Sequence, residues 1–510
     1  MPVLLCLTAI LLALTLAHCC EGSGSHETPP SPFVQTSYGP VTGTSVMAAD
    51  KEVLVFSGVP FAKAPLGDLR YHLAQDPDSW QEPMSCIKLA PACYQRELYP
   101  GSGMKIAKKM IEDGTMSEDC LRLNLWVPAG KQNLTTMVWI FGGGFFSGSP
   151  SDPTYDGAEL AARGNVIVAN INYRLGPFGF VHFGDEAVPS NLGLLDQRQA
   201  LRFLHQNIRL FGGDETKITL FGNSAGAASV SAHLVAKKSW PYFNRAIVQS
   251  GVMNAPWTQN SPEKERNGTL ELLRKLNCNS GNTTESVRCL RSVQPMSIIT
   301  AATELSQQYQ SRFFVPVNED RQFFEGNALM AIAGGAMKNC SILIGYNTDD
   351  GSFLIPLILR DVMIDNPQAA INHAQAEKVL TAMFQDISYT ASQSLQRHVF
   401  RREPVGRNTT VADRYFYRDS IIKAGTEHFF TCSIKEFADQ MANTNSSVFM
   451  YHFAEPWTVK NLPSWMGVTH GLEIDYVFAR YLKHRADYSK KTEIFSQAVA
   501  DIWTSFAKEG

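Results

Sequence analysis

Between residues 121 and 250 short apolar runs alternate with longer stretches of mixed polarity. Thr136-Met-Val-Trp-Ile-Phe and Val166-Ile-Val-Ala-Asn-Ile-Asn-Tyr are apolar almost throughout, which predicts parallel strands buried on both faces. Leu121-Arg-Leu-Asn-Leu-Trp-Val alternates instead, as a strand with one face in the core should. Further β-rich runs stand at Lys217-Ile-Thr-Leu, Arg245-Ala-Ile-Val-Gln, Ser341-Ile-Leu-Ile-Gly-Tyr and Val448-Phe-Met-Tyr-His-Phe. Asp196 to Phe211 carries apolar residues at helical spacing. Strand alternating with helix predicts an α/β chain, doubly wound on a large, mostly parallel central sheet flanked by helices. Gly39-Pro-Val-Thr-Gly and Val53-Leu-Val-Phe fit an N-terminal hairpin, and 366–401 reads as a helical cap or insertion. No linker divides 33–510, so a single domain is expected there.

The first 20 residues change the picture. Their apolar run, Val3 through Ala17, reads as a secretory signal peptide, although it lacks a basic start. It is short for a membrane span, and Gly, Ser and Pro make 21–32 a flexible leader. No second apolar run of about 18 residues follows, so the mature chain is expected to have no transmembrane segment and to be secreted and extracellular. Six N-x-S/T sequons agree, at Asn133, Asn267, Asn282, Asn339, Asn408 and Asn445. Ten cysteines are present, and Cys6, Cys19 and Cys20 belong to the expected signal region or its edge. Cys86, Cys93, Cys120, Cys278, Cys289, Cys340 and Cys432 remain, an odd set that leaves at least one without a partner in the chain. Spacing alone assigns no bridge. A formal net charge of −3 argues against nucleic acid or an anionic membrane surface as partner. Nothing in the sequence fixes an oligomeric state.

The candidate chemistry centres on Gly222-Asn223-Ser224-Ala225-Gly226, directly after a predicted strand and before a possible helix, Ala227 to Val230. In that context G-x-S-x-G is a nucleophile elbow, its turn so tight that only glycine fits on either side; out of context it is an ordinary Gly/Ser turn. An acyl-transfer serine also needs donors for the developing oxyanion. Gly142, Gly143 and Gly144 follow a predicted buried strand and expose backbone N–H groups that act with the N–H of Ala225. The acid should come next in the chain, and Ile342 to Phe353 offers Asp349 and Asp350, of which Asp350 stands before a turn glycine. His470, in a loop after the last predicted strand, is the candidate base. Such a triad needs no metal and no cofactor.

The chain resembles the cholinesterase/type-B carboxylesterase family over about 35–510. The resemblance is carried by Phe56-Ser-Gly-Val-Pro-Phe-Ala, Ser117-Glu-Asp-Cys-Leu-Arg-Leu-Asn, Trp139-Ile-Phe-Gly-Gly-Gly-Phe, Asn172-Tyr-Arg-Leu-Gly-Pro-Phe-Gly-Phe, Asn191-Leu-Gly-Leu-Leu-Asp-Gln-Arg and Trp465-Met-Gly-Val-Thr-His-Gly. It implies an α/β-hydrolase fold and a serine carboxylic-ester hydrolase working through an acyl-enzyme on small esters. Ser224 would be nucleophile, His470 base and Asp350 orienting acid, where the family usually has Glu. Gly143, Gly144 and Ala225 would form the oxyanion hole. The resemblance also implies bridges Cys93–Cys120 and Cys278–Cys289, and structural ion pairs Arg70–Glu118 and Arg174–Asp196. A third bridge would join Cys432 to a cysteine beyond Gly510, so the chain is read as a fragment or a truncated form.

The departures bear on substrate. The Trp that stacks on choline in cholinesterases falls at Met110, which lacks the ring quadrupole. Phe353 and Glu473 match other choline-site positions, and Trp257 an acyl-pocket Trp. The acyl-pocket Phe pair falls at Gln310 and Arg312. Asn223 stands where relatives usually carry Glu. Broad carboxylester substrates are therefore expected over acetylcholine. The competing expectation is a non-enzymatic, neuroligin-like adhesion or binding protein, which keeps the fold without the chemistry; an intact Ser224, Asp350 and His470 speak against it.

Overall fold

The computed structural model describes residues 31–95, 116–185, 187–309, 311–359, 369–385, 387–401, 415–456, 462–484 and 488–510. The expected signal peptide, most of the leader, Met110, Gln310 and Asn408 lie outside the described residues.

Nine strands form the central sheet: β1 Thr44–Ala48, β2 Lys51–Pro60, β3 Arg122–Pro128, β4 Leu134–Ile140, β5 Ile167–Ile171, β6 Gly213–Asn223, β7 Arg245–Gln249, β8 Ser341–Asn347 and β9 Val448–Phe453. Their spatial order is β9-β8-β7-β6-β4-β5-β3-β2-β1. The run from β5 to β9 is parallel throughout, and β1, β2 and β3 add antiparallel pairs at one side. This is the mostly parallel α/β sheet that the apolar runs predict. Every residue of β4 and β5 is buried, because helices cover both faces and no strand position is left to water. At its centre Trp139 packs against Phe221, centroids 4.8 Å apart, and against Phe478 at 5.0 Å.

Two strand expectations change. The N-terminal hairpin exists, but its first strand is β1 rather than 39–43. Ala49 and Asp50, both at positive φ, make the two-residue loop closed by the Ala48–Lys51 pair. Most of β1 is exposed, so hydrophobic pattern could not reveal it; Pro40–Thr42 instead pairs with Phe33–Gln35 and Met84–Ser85 in a separate small sheet. The alternating strand β3 is buried on both faces. Its polar Asn124 is internally satisfied, accepting from Gly58 N and Ala90 N and donating to Ser151 Oγ. A buried amide with its partners in place costs little, and alternation then misreports exposure.

The helices that matter for the site are α1 Leu192–Asn207, α2 Ala225–Val235, α3 Pro262–Lys275, α4 His373–Met383, α5 Tyr389–Val399, α6 Phe416–Thr426, α7 Cys432–Ala442 and α8 Lys490–Glu509. α4 and α5 are the helical stretch expected within 366–401. Among the described residues no helix is long and apolar enough to cross a membrane.

The bridges Cys93–Cys120 and Cys278–Cys289 are formed, and Cys86, Cys340 and Cys432 are free thiols. Arg70 grips Glu118 through two bonds of 2.7 Å while its third nitrogen reaches the carbonyls of Leu290 and Val293, each at 2.8 Å. Arg174 grips the fully buried Asp196 of α1 through Nε at 2.7 Å and Nη2 at 2.6 Å. Removing one member of such a pair strands the other's charge in the core. Arg174→Ala is therefore expected to lower unfolding free energy by about 3–5 kcal/mol, seen as a lower urea midpoint; an unchanged midpoint would show that water reaches Asp196.

Candidate active site

Strand β6 runs between β4 and β7 and ends at Asn223. Ser224 follows at φ 59°, ψ −126°, and α2 begins at the next residue. A non-glycine residue in that region is strained and persists only where its surroundings hold it. Here Ser224 N donates to Gln249 O at 2.9 Å, and Ser224 O accepts from Ala228 N at 2.9 Å. The turn closes because Gly226 has no side chain: a Cβ there would fall 1.9 Å from the Ile140 carbonyl oxygen. Ser224 thus stands at the end of a buried strand, held by neighbours on both sides.

Ile140 pairs with Gly222, so the chain leaving β4 passes directly beside the elbow. A Cβ on Gly142 would lie 2.9 Å from Ser224 Cβ. The loop is pinned at Phe141, whose ring stacks on Tyr173 at 4.5 Å and whose carbonyl accepts from the Tyr173 hydroxyl at 2.9 Å. The Gly143 carbonyl accepts from Phe146 N, Ser147 N and Ser147 Oγ, each at 3.1 Å. That turns the peptide's acceptor inward. Ala225 opens α2, where first-turn N–H groups have no intrahelical acceptor. Gly142 thus borders the serine, the expected oxyanion donors Gly143 and Gly144 follow it in the same loop, and Ala225 is the residue directly after Ser224.

Asp350, the acid that the resemblance implies, and its neighbour Asp349 take different jobs. Asp350 begins the turn after β8, is fully buried, and accepts from His470 Nδ1 at 2.8 Å through Oδ1. Its Oδ2 accepts from Ser250 Oγ at 2.9 Å and from Asn347 N at 2.8 Å. Asp349 instead staples the His470 loop: its N donates to Val468 O at 3.0 Å and its Oδ2 accepts from Val468 N at 2.9 Å. With Nδ1 engaged by Asp350, the other ring nitrogen of His470 is the one left for a further partner.

Phe353 stacks on the His470 ring at 4.9 Å, and Phe430 lies against it at 4.8 Å. Phe430 escaped the sequence reading; it sits in an apolar pair, Phe429-Phe430, that any core would contain. Trp257 reaches the same cluster, its ring 5.9 Å from Phe430 and its Nε1 donating to Phe429 O at 2.8 Å. Phe353 and Trp257, read separately from the sequence, thus converge on Phe430.

Glu473 needs correction as a substrate contact. It is fully buried. Its Oε1 accepts from Asn223 Nδ2 at 2.8 Å and Gln249 Nε2 at 3.0 Å, and its Oε2 from Asn347 Nδ2 at 2.7 Å. Burial and then the Asp350 charge push its carboxyl above the ordinary range, opposed by the bonds from Asn347 and Gln249. Glu473 joins the residue before the serine, the residue capping the serine N–H, and the residue whose N–H holds Asp350. Asn223 is likewise buried and faces inward. Both residues shape the elbow from behind.

The sequence has counterparts among known proteins. The carboxylesterase family model matches residues 30–510. "Acetylcholinesterase 4" of Caenorhabditis briggsae is 36% identical over 500 residues, covering 94% of this chain and 81% of that protein. "Cholinesterase" of Mus musculus is 34% identical over 96% of this chain and 81% of its own length. "Acetylcholinesterase" of Electrophorus electricus is 36% identical over 95% and 81%. A serine elbow at the end of a parallel strand, a glycine loop beside it, and a match along nearly the whole sequence lead to one assignment: the chain belongs to the carboxylesterase family, ester hydrolases of the α/β-hydrolase fold.

Proposed function

We propose that the chain is a secreted serine ester hydrolase with Ser224, His470 and Asp350 as its triad, in a single catalytic domain over 33–510. The observation that carries this reading is the 2.8 Å bond from His470 Nδ1 to Asp350, on a loop tied through Glu473 to the strained elbow. Ser224 Oγ attacks the ester carbonyl carbon while His470 takes its proton. The carbonyl oxygen becomes an oxyanion facing the N–H groups of Gly143, Gly144 and Ala225. Collapse breaks the acyl–oxygen bond, His470 returns the proton to the leaving alcohol, and water then cleaves the acyl-enzyme by the same steps. Asp350 holds the imidazolium.

The substrate class follows from what faces the base. Phe353 and Phe430 lie on His470 and Trp257 lies on Phe430, all apolar, while the Glu473 carboxyl is enclosed behind the elbow by three amides. Uncharged aryl and butyryl esters are the favoured substrates over acetylthiocholine. Secretion is supported by the apolar leader and by two disulfides, which persist in oxidising compartments. The sequon asparagines Asn133, Asn267, Asn282, Asn339 and Asn445 are all exposed, as glycan attachment requires.

A fluorophosphonate probe should label the folded protein on the Ser224 peptide. The same preparation should hydrolyse phenyl butyrate with a higher kcat/KM than acetylthiocholine. Absence of both labelling and turnover in folded protein would return the adhesion reading. A kcat/KM strongly favouring the charged ester would overturn the substrate assignment.

A further inference from the structure

One buried carboxylate is not used by this chemistry. Glu265 lies in the first turn of α3, after the Ser261 cap and Pro262. Acidic residues in a first turn usually sit at the surface and favour the helix dipole. Glu265 is instead fully buried and points into the neighbouring chain. One carboxylate oxygen accepts from Phe314 N at 2.5 Å and the other from Asn260 Nδ2 at 2.8 Å, with Val315 N as a further backbone donor. Asn260 extends the grip: its side-chain amide also donates to Arg312 O at 2.7 Å. Its own N donates to Pro316 O at 2.9 Å, and its O accepts from Asn318 N at 3.1 Å. One turn along α3, Gly268 lies under the Phe313 ring, which leaves no room for a Cβ: one would fall 2.4 Å from it. Two side chains and a helix face thus hold 312–318 by its backbone.

That segment leads to the site. Arg312 Nη2 donates to Pro256 O at 3.1 Å, next to Trp257. Trp257 packs on Phe430, and Phe430 on His470. We propose that Glu265 and Asn260 form a clasp that fixes the wall made by Arg312 and Trp257, and so sets the length of acyl chain the site accepts. Glu265 is a positioning residue, and the inference rests on the esterase reading above. A carboxyl suits the task because every partner named here is an N–H donor; burial pushes Glu265 up to about 8, opposed by the bonds from Asn260, Phe314 and Val315, so the fully accepting form is present above that pH. A purely structural Glu265 would affect stability without changing the choice of acyl group.

The test uses Glu265→Gln and Asn260→Ala with p-nitrophenyl acetate, butyrate and hexanoate at about pH 9, above the value of about 8 to which burial raises Glu265, alongside thermal melts. Glu265→Gln keeps the shape but turns one acceptor into a donor facing an N–H. The loosened wall is expected to raise the butyrate-to-acetate ratio of kcat/KM by about fivefold or more, within the range by which one or two methylenes discriminate in such pockets. The gain should come through a lower KM for the longer esters. Asn260→Ala should move the ratio the same way, and supplies the answer if Glu265→Gln fails to fold. Ratios unchanged within about twofold in folded variants, over an active wild type, would overturn the clasp alone. A wild type that hydrolyses none of the three esters would sink the esterase reading, and this inference with it.

Discussion

Replacing Ser224 by alanine should lower kcat for an aryl ester by about a million-fold while leaving the fold in place. The size of the loss reflects how the parts act together. In the proposed triad His470 and Asp350 have no function in acyl transfer unless a hydroxyl stands where the elbow puts it, and removing that hydroxyl would end covalent chemistry outright. What survives is binding and the oxyanion donors, worth about 10³–10⁴ over water in comparable sites. The fold should survive because alanine introduces no new atoms at a position that is already almost wholly buried. The unusual backbone at φ 59° is held by Gln249 O and by α2, neither of which touches the side chain. The measurement is steady-state turnover of p-nitrophenyl butyrate together with fluorophosphonate labelling and a thermal melt. A variant that melts like wild type and still turns over substrate within a hundredfold of it would remove Ser224 from the mechanism.

The turn at Ser224 was legible because an elbow is a local object. Strand, glycine, serine, glycine and helix follow one another within about a dozen positions, and each is required by the turn. The buried strands were legible for a similar reason: a strand covered on both faces has to be apolar throughout, and β4 and β5 are. Patterns failed where a polar residue is satisfied inside the protein, as with Asn124 in β3, or where a strand faces water, as with β1. The rest of the site is assembled across distance. Glu473 meets Asn223 across 250 positions and Gln249 across 224, and no periodicity reports such a contact. The resemblance already pointed to Asp350; the separate job of Asp349 needed the chain in space, since adjacent residues at a turn point in different directions. One reaches the imidazole and the other ties down its loop.

The same local geometry fixes what Asp350→Asn should do. In the wild type Oδ1 faces His470 Nδ1, and Oδ2 faces the N–H of Asn347. An asparagine must place one oxygen and one NH₂ in those two positions. The Asn347 site is a backbone donor that cannot turn away, so it takes the oxygen. The NH₂ is then directed at Nδ1 of His470. To accept that bond the imidazole must carry its proton on the other nitrogen, the one that has to take the proton of Ser224. The ring is left in place but in the wrong tautomer, and kcat is expected to fall by about 10⁴-fold. Structure and stability should change far less, because all three neighbours of residue 350 keep a hydrogen bond. Asp350→Glu separates tautomer from geometry. It restores two acceptors, at the cost of fitting one methylene into a fully buried site, a strain typically of about 1–3 kcal/mol. Its kcat should therefore stand at least about tenfold above that of Asp350→Asn even if it melts earlier. Equal activity in the two variants would mean that Asp350 only fills space, and the acid that orients His470 would have to be sought elsewhere in the loop.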